Sequence, residues 1–481
     1  MGREDQIVNE RLKKLKELRE KGIDPYPNKY EKEVVSKIPK KLGSRVKIAG
    51  RVMTKRDIGK IIFARLRDGT GDIQIVFQKD ETPEDKFEFF KKFIDAGDFV
   101  GIGGKTFKTK TGEFSVLADD VKILSKSILP LPEKWHGIKD EEEKLRKRYL
   151  DIIMNPEVKE MFLKKSIFWN TIRDFLLKKG FTEVETPTLE TSAGGAAATP
   201  FKTHHNALDL DVYLRISMGE LWQKKLMVAG FEKTFEIGRQ FRNEGMDAEH
   251  LQDYTQMEFY WAYANYQDGM KLVEEMYKKV AKEVLGNLKF ECKEYQIDLG
   301  KKWEIYDYEK LIEEKTGINI YKNSEKDIKK KLDQLKVDCD PRVGKWRLVD
   351  VLWKYCRKQL AGPGFLVGQP VELTPLAKKN PEDKRKVEQF QVIMAGSEMG
   401  NGYSELNDPL DQEERFKEQR KMKESGDAEA HEHDESFVEA LKYGMPPVCG
   451  FGVSERLFSV LMNRPVRETV IFPLMRPEGK N

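Results

Sequence analysis

Cysteine is scarce in this chain. There are four in 481 residues (Cys292, Cys339, Cys356 and Cys449), with no Cys-x-x-Cys pair. Such scatter excludes a disulfide framework and a zinc knot, and it suits reduced thiols in a cytosolic protein. Long apolar runs are missing as well. No stretch approaches the ~18 apolar residues of a membrane span, and the chain opens on charges instead of an apolar signal core. A soluble, cytoplasmic protein with no membrane partner is expected. Nor does one sign of charge dominate: charged residues make up 35% of the chain, yet the net charge is only +4. That excludes a simple polycation and leaves room for a local basic patch. The first fifty residues lean that way, with fourteen Lys/Arg against eight Asp/Glu. A solvated helix face and a nucleic-acid arm share this composition, and an adjacent nucleic-acid-binding fold decides between them. Internal repeats and low-complexity tracts are absent.

What is present is length for about two to four domains. Residues 6–22 read as an amphipathic helix ending at Gly22, with Pro25 and Pro27 beyond it. From Arg45 the pattern changes to short strands: Val46–Val52, Ile61–Leu66, Ile73–Gln78, Phe99–Phe107 and Ser115–Leu124. A helix-like segment, Pro83–Asp95, lies between the third and fourth. That order matches a five-stranded oligonucleotide-binding (OB) barrel, whose second and third strands form the binding face. Phe63 and Gln74 fall there, suited to stacking on one base and hydrogen-bonding another. A core aromatic is the competing role for Phe63. Leu129–Pro132 and Lys139–Arg148 read as a linker, and about Glu160–Lys179 as a second amphipathic helix. Gln267–Leu285 is helical, and 302–360 reads as a charged, mostly helical insertion on the outside of the second domain. Strand-like segments follow at Gln369–Leu376 and Phe390–Ala395. The chain closes with Gly450-Phe451-Gly452, a helix from about Ser454 to Met462, and a strand at Val470–Phe472.

The stretch Phe231–Tyr266 organises the rest. With period two, Phe235, Ile237, Arg239 and Phe241 point one way; Glu236, Gly238, Gln240, Arg242 and Glu244 point the other. A polar run, Gly245–Gln252, follows. A second alternation then sets Tyr254, Gln256, Glu258 and Tyr260 against Met257, Phe259 and Trp261. This predicts two antiparallel strands with one face on a core and one polar face, joined by a loop long enough to be functional. A planar cation, two carboxylates and two phenols converge on the polar face, which reads as the floor of a site.

These residues also carry a family likeness. Phe241-Arg242-Asn243-Glu244, with His250 and Glu258-Phe259-Tyr260 downstream, resembles the second motif of the class II aminoacyl-tRNA synthetases. Gly180-Phe181 through Pro187 resembles the first motif, and Gly450-Phe451-Gly452-Val453-Ser454-Glu455-Arg456 the third. The finer likeness is to the lysyl-tRNA synthetase family. It rests on Thr203-His204-His205-Asn206-Ala207-Leu208-Asp209, Pro370-Val371-Glu372, Pro375-Leu376-Ala377-Lys378, Gly400 through Asp408, and Phe472-Pro473.

The resemblance implies an α+β protein: a five-stranded OB-fold anticodon-binding barrel, then a class II catalytic domain of antiparallel sheet flanked by helices. The expected divisions are an extension over 1–44, the barrel over 45–126, a linker over 127–150, and the catalytic domain over 151–481. It further implies a homodimer, the substrates L-lysine, ATP and tRNA(Lys), and Mg²⁺ as the metal. No nucleophilic side chain is needed, because the substrate's own carboxylate attacks.

Site roles follow from the same likeness. Arg242 would hold the α-phosphate and the lysine carboxylate with its planar fork. Glu244 would accept from the adenine amino group. His250 would meet the outer phosphates, unless it is simply an exposed loop histidine. Arg456, at the start of a helix, would hold the γ-phosphate and with Tyr254 sandwich the adenine. Gly450 and Gly452 let the backbone approach the nucleotide. Glu258, Tyr260 and Glu405, the last sharing a face with Asn401 and Tyr403, would grip the lysine side-chain amine. Glu220 would take the α-amino group, with Gly194 also at the lysine.

The chain departs from the family in places. Gln391 stands where a first metal-binding glutamate is usual, seven residues before Glu398, and an amide ligates Mg²⁺ without adding charge. Leu251-Gln252-Asp253-Tyr254 replaces Asn-Pro-Glu-Phe, the third motif is one residue short, and one residue is inserted between Arg215 and Glu220. A sister enzyme for aspartate or asparagine is disfavoured by Glu405, where it would need a cation. A non-catalytic binding protein is disfavoured by the two retained arginines.

Overall fold

The computed structural model describes residues 2–132, 140–192, 194–196, 198–245, 247, 249–340, 343–424 and 434–478. Part of the expected linker, of the small-residue stretch Ser192–Thr199 and of the Gly245–Gln252 loop therefore lies outside the described residues. The chain forms two compact units, Met1–Met154 and Asn155–Asn481.

In the first unit, the helix Arg3–Glu20 buries Arg11, Leu15 and Leu18. Five strands, Arg45–Asp57, Ile61–Arg67, Asp72–Gln78, Phe99–Lys108 and Phe114–Ser125, close into a barrel. Alternation drives the closure: Ile62, Ala64 and Leu66 point inward on the second strand, and Ile73, Ile75 and Phe77 on the third. The helix Glu84–Phe93 adds Phe87, Phe90 and Phe93 to this core, and the Phe77 and Phe90 rings stack 4.1 Å apart. Phe63 is half-buried and does not belong to that core. The expected linker is irregular over 127–132 and helical from Glu141, as Glu141–Arg146 and Arg148–Met154, with Asp140 capping the first turn by accepting from the Glu143 N–H at 2.9 Å.

The second unit is built on an eight-stranded sheet. Its order is Glu304–Asp307, Gly364–Val367, Gln389–Met394, Ser397–Ser404, Val448–Ser454, Asp253–Ala262, Lys233–Phe241 and Thr182–Glu183. The six inner strands are antiparallel, and each edge strand joins in parallel. One face packs on the helices Pro156–Lys178 and Tyr266–Leu285 through Phe235, Phe259, Phe390 and Phe451, each fully or almost fully buried. At roughly 1.5–3 kcal/mol per buried large side chain, this face anchors the strands whose other face carries the polar residues.

Three expectations are corrected. The 302–360 segment does form three helices with their own apolar core (Tyr308–Thr316, Glu325–Gln334 and Lys345–Arg357). It does not lie wholly outside the sheet, however, because Glu304–Asp307 is the edge strand. No strand spans Gln369–Leu376: the ladder stops at Val367, Gly368 turns with φ +78°, and a 3₁₀ turn forms at Val371–Leu373 between two prolines. Nor is Val470–Phe472 a strand. Val470 instead packs with Leu251 and Val466 in a small cluster after a 3₁₀ turn, and Pro473 has no N–H for a ladder.

Candidate active site

The pleat of the sheet builds the site directly. Opposite the helix-packed face, residues come into register across neighbouring strands as rungs. One rung is Tyr260–Gly450–Tyr403–Gln389, the next is Glu258–Gly452–Asn401–Gln391, and the third is Gln256–Ser454. The rung between the first two, Phe259–Phe451–Gly402–Phe390, faces the helices. Alternation thus puts every second rung into one cavity of about 370 Å³. The glycines are the gaps that make it a cavity. A Cβ at Gly450 would lie 2.1 Å from Glu405 Oε1, and one at Gly452 would lie 3.1 Å from Glu258 Cγ.

One end of the cavity is acidic and buried. Glu258 accepts from the Met218 N–H (3.0 Å), the Gln256 amide (2.7 Å) and the Tyr260 hydroxyl (3.0 Å). Glu220, the first residue of the helix Glu220–Val228, accepts from Lys224 (2.7 Å) and from the Tyr403 hydroxyl. Glu405 lies 2.6 Å from Lys224 Nζ, but its Oε2 makes no aligned hydrogen bond. Burial raises the Glu258 carboxyl to about 7, with the Glu220 charge adding to it. Burial raises Glu405 to about 8 against the lowering pull of Lys224. A pocket that holds its carboxyls this far from their preferred charge is short of cations.

The other end is cationic. Arg242 follows the Lys233–Phe241 strand and donates only through Nε, to the Ile216 carbonyl at 3.4 Å. Its two terminal nitrogens make no hydrogen bond among the described residues, and its guanidinium lies 5.8 Å from the Tyr254 ring centre. Arg456 opens a six-residue helix, too short for much dipole. It is fixed by donating to the Glu249 carbonyl (3.1 Å) and the Glu398 carbonyl (3.2 Å). Glu398 lines the cavity beyond a β-bulge at Val392/Ile393, which resets the side-chain alternation of its strand. Burial raises its carboxyl, opposed by Arg357 and Arg456. Arg357 Nη1 is 3.9 Å from Glu398 Oε2, while the Gln391 Oε1 atom is buried without a hydrogen-bond partner.

Of the residues singled out from the sequence, the cavity brings together Glu220, Arg242, Tyr254, Glu258, Tyr260, Gln391, Glu398, Asn401, Tyr403, Glu405, Gly452 and Arg456. Three residues assigned to the lysine or ATP lie outside it. Glu244 lies on the exposed loop, past the end of its strand at Phe241, and accepts from the Thr199 N–H at 3.4 Å. His250 is exposed beside Asp247. Gly194 lines a smaller recess with Glu190 and Trp222. Ser217, Gln256 and Gln389 line the cavity without having been assigned a role from the sequence. Gln256 had a signal there, its place on the polar face of the hairpin; Ser217 and Gln389 had none. Phe63 and Gln74 line a separate groove on the barrel with Thr54, Arg56 and Arg65, and Gln74 donates to the Ser115 hydroxyl at 3.0 Å.

An antiparallel sheet with Arg242 and Arg456 lining the cavity on its open face is the arrangement that the class II likeness implies. Residues 140–476 match the family of class II tRNA synthetases for D, K and N, and residues 46–124 match the OB-fold nucleic acid binding domain. Lysine–tRNA ligases are similar over nearly the whole chain. The protein of Thermotoga maritima is 43% identical over 98% of this chain and 96% of its own. That of Carboxydothermus hydrogenoformans is 43% identical over 98% of each, and that of Bacillus subtilis 42% over 97% and 96%. The chain belongs to the lysine–tRNA ligase family of the class II tRNA synthetases. No helix among the described residues is long and apolar enough to cross a membrane.

Proposed function

We infer that this chain joins L-lysine to tRNA(Lys). In the first step a lysine carboxylate oxygen attacks the α-phosphorus of ATP, forming lysyl-adenylate as pyrophosphate leaves. In the second, a ribose hydroxyl at the 3′ end of the tRNA attacks the lysyl carbonyl and AMP departs. Both steps displace a leaving group between bound reactants, so the protein aligns them and neutralises charge.

The observation that carries the lysine assignment is the buried acid wall. Glu258 and Glu405 come from separate strands, line one cavity and lack enough cations of their own. An ammonium removed from water needs such partners, and a substrate carboxylate there would be repelled. We assign Glu258, Glu405, Tyr260, Asn401 and Tyr403 to the ε-ammonium end and Glu220 to the α-amino end, with Gly194, in the neighbouring recess, joining Glu220 on resemblance alone. Arg242 takes the α-phosphate and the carboxylate. Tyr254, Gly452 and Arg456 take the adenine and outer phosphates. Glu244 and His250, outside the cavity wall, keep the adenine amino group and the outer phosphates on resemblance alone. Arg242 and Arg456 are the catalytic pair.

Mg²⁺ supplies charge neutralisation on the phosphates when bound. Glu398 and the unpartnered Gln391 amide oxygen suit an ion arriving with the nucleotide, and no group of three or more acid, His or Cys side chains forms a metal cage among the described residues. The barrel, with Phe63 and Gln74, is assigned to the anticodon. We assign a homodimer on the first-motif resemblance of Gly180–Pro187, and four free cysteines support a cytoplasmic setting. Pyrophosphate exchange with lysine, aspartate and asparagine offered separately tests the reading. Exchange with lysine alone is expected, and exchange driven by either of the others refutes it.

A further inference from the structure

Behind the acidic end of the cavity lies a buried cation. Lys224 is 1% exposed and does not bound the cavity. Its Nζ lies 2.7 Å from Glu220 and 2.6 Å from Glu405, over the rings of Tyr403 and Phe437 at 5.5 and 5.7 Å. Three buried carboxylates surround that end: Glu220, Glu258 and Glu405. We propose that Lys224 is a specificity-determining positioning residue: as partner to the third carboxylate, it leaves two negative charges open, the number a dibasic amino acid fills with its α- and ε-ammonium groups. This rests on the lysine reading above and adds the charge count that makes the pocket selective.

The groups around this acidic end come from each element packed there. Its own helix offers Glu220, and Lys225 turns away to the Ser436 hydroxyl at 2.8 Å. The Ser397–Ser404 strand and the residue after it offer Tyr403 and Glu405. The Asp253–Ala262 strand offers Glu258 and Tyr260, and the Val448–Ser454 strand offers Cys449, whose thiol burial raises and the Glu405 charge raises further. The helix Glu435–Lys442 presents Phe437 and is capped by Asp434. Two further buried cations have acids of their own: Arg215 pairs with Glu236 at 2.6 Å, and Arg415, which donates to the Ala377 carbonyl at 2.7 Å, pairs with Asp411 at 3.0 Å. Lys224 is thus the counter-ion that Glu220 and Glu405 share. With lysine bound, the three acids meet three ammonium groups, and the substrate carboxylate goes to Arg242. With the pocket empty, burial holds Glu258 and Glu405 above the ordinary carboxyl range, and lysine binding displaces protons from them. Without Lys224 a third acid is stranded, and Glu405 ionises only at higher pH.

Calorimetric titration of the full chain with L-lysine tests this, from about pH 6 to about pH 9 in buffers of different ionisation enthalpy. Wild type is expected to release protons on binding near neutral pH. Lys224→Met is expected to bind lysine roughly tenfold or more weakly there, with the acid limb of its affinity profile moved up by about one pH unit. Lys224→Arg restores the wild-type limb, and ATP affinity is the same in all three. Lysine affinity and acid limb unchanged in Lys224→Met would overturn the proposal. If that variant does not fold, lysine binding by wild type without proton release overturns it equally. Failure of wild type to bind lysine at all would remove the underlying lysine reading too, an outcome distinct from the other two.

Discussion

Replacing Glu405 with alanine separates recognition of the amino acid from everything else the second unit does. The carboxylate is 2% exposed, reaches the cavity beside Gly450, and shares Lys224 with Glu220. After truncation Lys224 keeps Glu220 at 2.7 Å, so no buried cation is orphaned and the fold retains its ion pair. The loss therefore falls on the ligand. A desolvated ammonium that loses one of its buried acids forfeits roughly 3–5 kcal/mol. At about 1.4 kcal/mol per power of ten, lysine affinity should fall by roughly two to three and a half orders of magnitude. ATP affinity should survive, because Arg242, Tyr254 and Arg456 lie at the other end of the cavity. Lysine-dependent pyrophosphate exchange reads the first effect, and calorimetry with ATP alone reads the second. Lysine-dependent turnover at the wild-type level in Glu405→Ala would refute the acid-wall argument.

Four further outcomes follow from the same geometry. Gly450→Ala sets a Cβ 2.1 Å from Glu405 Oε1 and 2.8 Å from the Tyr260 ring, so steady-state kinetics should show lysine KM raised roughly tenfold or more with ATP KM little changed. The raised carboxyls, about 7 for Glu258 and about 8 for Glu405 against 4.5 when unfolded, add stability that is complete below 4.5 and lost as pH rises through their folded values. The Tm of the ligand-free protein should fall over that window, with a shallower fall in Glu405→Gln; parallel Tm profiles for the two would contradict the assignment. Gln391→Glu should lower the Mg²⁺ needed for pyrophosphate exchange, since a carboxylate replaces an amide beside Glu398, and identical Mg²⁺ titrations would count against it. Phe63→Ala should weaken tRNA use by roughly ten- to a hundredfold, the scale of one lost base stack, and leave exchange unaffected.

The hairpin was legible in the sequence because burial imposes period two. Phe235, Met257 and Phe259 had to face a core, and that alone sends Glu258 and Tyr260 to the opposite side. Glu405 was legible through resemblance, and its cavity position follows from the strand it terminates. Elsewhere the sequence carried less. Glu304–Asp307 joins the sheet as a four-residue parallel edge, and a segment so short among charged helices shows no alternation to read. Val470–Phe472 has strand-like residues, but Val470 packs with Leu251 and Val466 and Pro473 has no N–H to give a ladder. Glu398 depends on a bulge, which shifts alternation by one residue and leaves no mark in composition.

The least legible part is the charge balance. Glu220 and Lys224 stand four apart, the spacing of an ordinary exposed helical ion pair worth a few tenths of a kcal/mol. Burial changes what that spacing means. Once the helix Glu220–Val228 lies over the sheet rungs, Lys224 meets Glu405 from a distant strand, and an unremarkable pair becomes the counter-ion of a three-carboxylate pocket. Sequence spacing gives a charge its neighbours on one element; only the cross-strand register decides how many charges are left for the ligand. The number of unneutralised carboxylates is therefore a property of the fold, and an amino acid with two ammonium groups is the ligand that number fits.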